Sequence, residues 1–331
     1  MCAQKLSFDY AHTLHTVRIV HNAHSVHRSR VQKGKSCDCI NFVRATDPTS
    51  GSGGMLIQSV DYIKSKGGNP NNLSLYGQEK NLNTWAICKM NLLLHGLSDH
   101  RIEKGDTIRD PKLTENGVIA NPPYSLKNWG REEASADEFG RFRFGLPPAN
   151  AGDYAFVQHM LATLNHTGKA GVVLPHGILF RGGAEGKIRQ GLVKEDLIEA
   201  IIGLPANLFY GTGIPATIIL YNKGKEEARQ NKIFFIDASR DFQEGKNQNV
   251  LRDEDVEKIV STFDNYEEIE KYSRIVTLDE IKENDYNLNI SRYIDTTEEE
   301  EQIDVAKVIQ ELQQLELERE KIEETMYGFL K

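Results

Sequence analysis

Asp47-Pro-Thr-Ser-Gly-Ser-Gly-Gly54 follows a short run, 41–46, and precedes an amphipathic stretch, Met55–Lys66. A glycine-rich turn at the C-terminal end of a strand lets a ligand approach the backbone. The helix that follows presents free N–H groups to a polar or anionic group. Alone, the turn is a weak signal, because a tight turn without a ligand reads the same. Outward from it, short apolar runs alternate with helical stretches. The strand candidates are Leu73–Tyr76, Arg101–Lys104, Val118–Ala120, Ala170–Leu174, Ile198–Ile202, Ala216–Tyr221 and Lys232–Ile236. Helix candidates between them include Leu82–Leu94, Tyr154–Leu164 and Lys187–Val193. This alternation predicts a doubly wound parallel α/β sheet.

The chain has 331 residues, 39% apolar and 27% charged, a globular balance that can bury a sizeable core. Its longest apolar runs, such as Ile214–Tyr221, are far too short to span a bilayer. No secretory leader opens it, so no membrane and a cytoplasmic location are the expectations. Four cysteines in this length argue against a disulfide scaffold. The net charge is −8, of which residues 293–331, with 12 acids and 4 bases, account for all. Residues 1–46 hold 7 bases and 2 acids. The middle is close to balanced, so no basic patch there would hold nucleic acid by phosphate contacts alone.

The first residues are unlike the rest. His12, His15, His21, His24 and His27 join Cys2, Cys37 and Cys39 there. The spacing is not that of a zinc finger, so no metal is expected. Segment 1–40 reads as an atypical N-terminus, the remnant of a lost helical domain. Residues 41–295 form the main domain. In 296–331, Val305, Val308, Leu312, Leu315, Ile322, Met326 and Phe329 fall on a 3–4 spacing, with Arg319 as a polar interruption. That is a coiled-coil-like seam on one amphipathic helix. It reads either as packing on its own domain or, as favoured here, as a seam for a partner.

Three further signals share an order. Glu79, just past the second strand, suits the ribose hydroxyls of a nucleotide-type ligand, and equally suits a helix N-terminus. Asp106 follows the third strand and suits an exocyclic amine, or an N-cap. Asn121-Pro122-Pro123-Tyr124 follows a strand that the prolines forbid to continue. Such a turn fixes the Asn121 amide and the Pro122 carbonyl as acceptors beside the flat face of Tyr124. Together they suit a planar ring bearing an amino group. Residues 125–150, with Arg131, Phe139, Phe142 and Phe144, read as a long irregular loop, either a mobile surface loop or a lid facing the substrate.

The combination resembles the S-adenosylmethionine-dependent amino-methyltransferases. More closely, it resembles the modification (M) subunit of type I restriction-modification systems, an N6-adenine DNA methyltransferase. The resemblance runs from about Thr46 to the C-terminus. It includes Gly203-Leu-Pro-Ala-Asn-Leu-Phe-Tyr-Gly-Thr-Gly-Ile-Pro-Ala-Thr217 and Asp285-Tyr-Asn-Leu-Asn-Ile-Ser-Arg-Tyr293. It implies a Rossmann-like methyltransferase fold of about seven strands and S-adenosyl-L-methionine as cofactor. Asp47, Thr49, Ser50, Gly51 and Gly53 would line the cofactor's methionine end. Glu79 would bind its ribose and Asp106 its adenine. Asn121, Pro122, Pro123 and Tyr124 would form the catalytic turn around a flipped-out adenine. The implied partners are DNA, a specificity (S) subunit held through the C-terminal helix, a second M subunit and a restriction (R) subunit. The sequence departs from the family before the glycine turn, where Phe8-Asp-Tyr-Ala-His-Thr13 stands for a Phe-Tyr-Thr-Pro type motif. That departure supports an alternative, a truncated M subunit acting only in assembly. Protein-glutamine and ribosomal-RNA methyltransferases share the Asn-Pro-Pro-Tyr turn but carry a different glycine turn.

Overall fold

The structure is a computed structural model that describes residues 43–65, 67–112, 115–209, 212–295 and 305–329. The segment 1–40, with its histidines and its three cysteines, lies outside the described residues. Nine strands form one sheet in the order β3-β2-β1-β4-β5-β7-β6-β8-β9. They are β1 Val43–Asp47, β2 Leu73–Glu79, β3 His100–Lys104, β4 Glu115–Ala120, β5 Leu164–Pro175, β6 Ile198–Gly203, β7 Ala216–Asn222, β8 Lys232–Asp237 and β9 Ser273–Thr277.

The sheet is mixed and larger than the sequence predicts. β7 runs antiparallel to both of its neighbours, β5 and β6, and β9 runs antiparallel to β8. The reversal of β7 needs no crossover helix, because β6 ends and β7 begins at the same edge of the sheet. β9 is short and half exposed, with too little apolar pattern to stand out in the sequence.

The chain crosses between strands through α1 Gly54–Ser65, α2 Leu82–Leu94, α3 Arg131–Ala134, α4 Asp153–Thr163, α5 Gly183–Lys194, α6 Asp253–Asn265 and α7 Leu278–Glu283. Helices on both faces explain why β6 and β7 are mostly apolar: every residue of both strands is buried, and the Asn222 side chain of β7 donates to the Glu199 carboxylate of β6. Successive residues face opposite layers. Val172 and Leu174 pack under α4 and α5, while Val173 packs with Ile202, Phe234 and α6. A third cluster joins Leu56, Val60, Cys88 and Leu92 of α1 and α2 to Leu75 and Ile102 of β2 and β3. Burying each such side chain contributes about 1.5–3 kcal/mol. The α2 boundary is set by Asn81, whose side chain accepts from the N–H groups of Asn83 and Thr84.

Segment 125–150 is irregular apart from the short α3, as its composition suggests, and it is tied down at two points. Trp129 is 1% exposed and donates through Nε1 to the Pro148 carbonyl at 2.8 Å. Arg141 is buried with Asp137 (2.7 Å) and donates to the carbonyls of Thr107 and Ile108. These bonds fix the segment to the turn after β3. Phe142 and Phe144 pack on the core, and only Phe139 among its named aromatics is exposed.

The chain divides into two compact units after Ile294. In the second, α8 spans Val305–Phe329, and its described seam residues Leu312, Leu315, Ile322 and Met326 are exposed. Among the described residues no helix is long and apolar enough to cross a membrane.

Candidate functional site

The parallel strands end at one edge, and the edge collects the residues that the motifs single out. Asp47 is the last residue of β1, opposite Gly77 of β2. Its carboxylate is 2% exposed and accepts from the Thr49 N–H at 2.9 Å and the Thr49 hydroxyl at 3.2 Å. Burial pushes this carboxyl up to about 7, against the Thr49 hydrogen bonds, with nearby Glu79 adding to the rise.

The glycine turn is tied to β2. Ser50 donates both its N–H (3.0 Å) and its hydroxyl (3.1 Å) to the Gln78 carbonyl. The Gly51 N–H donates to Glu79 Oε2 at 3.0 Å, and the Asn81 N–H to Glu79 Oε1 at 2.7 Å. Gly53 sits at φ +86°, where a side chain is strained. A Cβ there would stand 2.9 Å from Cys88 Sγ, so the turn can press against α2 only with glycine. Cys88 is itself an inert core thiol, pushed up to about 12 by burial.

Asp106 reaches the same edge but with its oxygens filled. Oδ1 accepts from the N–H groups of Ile108 and Arg109, and Oδ2 faces Arg109 Nη1 at 2.8 Å and Lys80 Nζ at 3.0 Å. Burial pushes its carboxyl up, but Lys80 and Arg109 together hold it below the usual carboxylate range. The neighbouring Thr107 hydroxyl donates to the Pro48 carbonyl, which joins this turn to the glycine turn.

Asn121 follows the last residue of β4, the strand next to β1 (Thr46 opposite Val118). Asn121 is exposed and Pro122 is buried. The Tyr124 hydroxyl is buried with no hydrogen-bond partner among the described residues, and burial pushes its pKa above the ordinary value. Its ring meets Phe209 edge-on, with centroids 6.4 Å apart at 83°. The turn is held from behind. The Ser125 N–H donates to Asp153 Oδ1 at 2.8 Å, and Arg181 Nη1 donates to Asp153 Oδ2 at 3.2 Å.

The structure therefore brings all the sequence-derived residues to one edge: Asp47, Thr49, Ser50, Gly51 and Gly53 in one turn, Glu79 of β2 hydrogen-bonded to it, Asp106 joined to it, and Asn121 to Tyr124 one strand away. Reading the sequence missed Phe209, although the segment Gly203–Thr217 that carries it stands out. It also missed the Asp153–Arg181 brace, which joins positions 28 residues apart. His176, beyond the end of β5, was missed as well. Its Nε2 is buried and unpartnered among the described residues, and burial holds its pKa below the usual histidine value.

Comparison with known proteins places the chain in a family. A family model described as N-6 DNA Methylase matches residues 40–302. The type I restriction enzyme MjaVII methylase subunit of Methanocaldococcus jannaschii is 41% identical over 298 residues, covering 86% of this chain and 51% of that protein. The HindI methylase subunit of Haemophilus influenzae is 35% identical, covering 78% and 60%. The crystal structure of the type I restriction-modification system methyltransferase subunit from Streptococcus thermophilus superposes with a TM-score of 0.74 at 35% identity, covering 84% of this chain and 58% of that one. The chain thus spans about half to three-fifths of the length of these relatives.

Proposed function

The chain belongs to the N-6 DNA methylase family, and from that premise we propose that it carries the catalytic site of an N6-adenine DNA methyltransferase of the type I restriction-modification kind. The observation that carries the reading is the adjacency of two turns. β1 and β4 are neighbours, so the glycine turn and the Asn121–Tyr124 turn open on the same edge of the sheet.

The residues present fit S-adenosylmethionine. Asp47, with a buried carboxyl near 7, gains a partner when a cation arrives at the methionine end. Each Glu79 oxygen accepts one backbone N–H, which leaves lone pairs for two ribose hydroxyls. Asp106 fits with one adjustment: an adenine amine would displace Lys80, whose side chain is 67% exposed, from Oδ2. When bound, the cofactor supplies an electrophilic methyl group on a sulfonium.

The remaining chemistry belongs to the chain. The Asn121 side-chain carbonyl and the Pro122 carbonyl would accept the two N–H bonds of the target adenine's amine, drawing electron density onto N6 as it attacks. Pro123 keeps this turn rigid. Tyr124 would stack on the base, with Phe209 edge-on to it closing the aromatic wall. The work is positioning and electrostatics, without a covalent enzyme intermediate. Extruding the base costs roughly a few kcal/mol of stacking and pairing. DNA is the substrate on this reading. The exposed α8 seam would pack against a specificity subunit, which would supply base readout, alongside a second M subunit and a restriction subunit in a cytoplasmic complex. That both turns are fully built favours catalysis over a purely assembly role.

The test is transfer of a labelled methyl group to DNA, with the product base identified as N6-methyladenine. Asn121→Ala should abolish transfer while calorimetry shows unchanged cofactor binding. Wild-type turnover in that variant would show that the catalytic turn lies elsewhere.

A further inference from the structure

The segment Asp285–Tyr293 takes no part in the chemistry above, yet it forms one wall of a cleft. The cleft is open, about 430 Å³, and its other wall is the N-terminal half of α5. Two features mark it as built for an anion. Gly182 and Gly183 open α5, and nothing lies within 4 Å of where their Cβ atoms would stand, so the first turn of the helix is bare to an incoming group. Arg189 is 4% exposed and lines the same cleft. Its Nε donates to the Tyr286 carbonyl (2.8 Å), and its Nη1 to the Ile178 and Arg181 carbonyls (3.1 and 2.8 Å). Among the described residues its Nη2 donates to no carbonyl, and it lies beside Gly186, 3.8 Å from where a Cβ would be. Lys187 and Arg292 line the rim and are exposed, and Asp285 is the single acid in the lining. The lining is therefore cationic by two charges.

The cleft is braced to the catalytic turn. Arg189 donates to the Arg181 carbonyl, Arg181 to Asp153, and Asp153 accepts the Ser125 N–H directly after Tyr124. Phe180, on the cleft wall, meets His176 edge-on at 5.9 Å, at the end of β5. We propose that this cleft grips a backbone phosphodiester of the DNA strand that delivers the target base, with Arg189 Nη2 and the α5 N-terminus as donors and Lys187 and Arg292 as charges. The proposal rests on the DNA methyltransferase reading, and it gives the catalytic unit a strand contact of its own where its overall charge gives none.

The test measures binding of this chain to a hairpin oligonucleotide carrying an unpaired adenine, across a series of KCl concentrations, beside calorimetry with S-adenosylmethionine. Lys187→Glu combined with Arg292→Glu should weaken DNA binding about tenfold or more and lower the salt slope by about one. Cofactor affinity should be unchanged, and Lys187→Arg with Arg292→Lys should restore DNA binding. A wild-type slope in the charge-reversed variant, or no retention of the hairpin by either protein, would overturn the proposal. So would thermal protection by inorganic phosphate at matched ionic strength that the variant loses while its DNA slope stays unchanged; the cleft would then hold a free anion. Failure of the wild-type chain to bind cofactor would instead overturn the functional reading beneath it.

Discussion

The glycine turn and the Asn-Pro-Pro-Tyr turn stand one strand apart and are built in opposite ways. The first is saturated with its own hydrogen bonds. Ser50 and Gly51 are tied to β2, Thr49 to Asp47, and Asp106 to Lys80 and Arg109. The second leaves Asn121 exposed and the Tyr124 hydroxyl unpartnered, and it is held by a brace behind it rather than across its face. A cofactor site can be shaped in advance, because its ligand is always the same. A site for an extruded base must keep its acceptors free, since any internal donor would compete with the amine in the transition state.

This contrast predicts where substitutions will hurt. The largest effect belongs to Asn121→Ala, which should cut turnover by about 10²–10³-fold, the size of a lost transition-state hydrogen bond, with cofactor affinity within twofold of wild type. Equal losses in both would mean that the two turns are not separable.

Asp47 comes next. Its proton is held more tightly in the folded chain, near 7, than in the unfolded chain, where the ordinary value is 3.8. The unfolded state therefore sheds the proton first as pH rises. Between about pH 4 and 7 this carboxyl progressively costs the fold stability, on the order of a few kcal/mol in total, and above 7 the cost is constant. A bound cation favours the ionised form, so cofactor affinity should rise about tenfold per pH unit up to 7 and then level. Calorimetry between pH 5.5 and 8.5 measures the slope. In Asp47→Asn the slope should vanish, binding should stay weak, and the free chain should be more stable at neutral pH.

Gly53→Ala tests the shaped turn itself. With φ +86° and Cys88 Sγ at 2.9 Å, it should lower stability by about 1–3 kcal/mol in denaturant titration. Cofactor affinity should fall with it, whereas Asn121→Ala leaves the unfolding midpoint alone. The smallest effect is Tyr124→Phe. Removing a buried hydroxyl that has no partner should leave stability unchanged or raise it by about 1 kcal/mol at most. A clear loss of stability would reveal a partner for that oxygen.

What could be read from the sequence follows from how local each feature is. The glycine turn, Glu79 and the Asn121–Tyr124 turn are contiguous motifs at strand ends, and a doubly wound sheet brings strand ends together whatever the remaining sequence. Strands such as β6 and β7 announce themselves as short, mostly apolar runs. The brace from Asp153 to Ser125 and Arg181, and the edge contact of Phe209 with Tyr124, are pairings between distant positions, for which spacing gives no warning. Asp106 was legible as a residue at the right edge, but not as one already filled, since its partners Lys80 and Arg109 come from two different turns. Segment 125–150 was legible as an irregular loop, but its anchors were not, for a related reason. Its composition is that of a loop, and its order comes from one buried tryptophan and one buried arginine.

The reversed direction of β7 has a consequence for how such a protein can change. Were β7 parallel to β6, the link between them would have to cross to the opposite edge, and Phe209 would lie far from the reaction. Because β7 runs antiparallel to β6, the link between them begins and ends at the edge that carries the glycine turn. It can be lengthened, shortened or exchanged as a cassette, leaving the glycine turn and its carboxylates in place. Diversification of the base-facing wall is thus decoupled from inheritance of the methyl donor's seat.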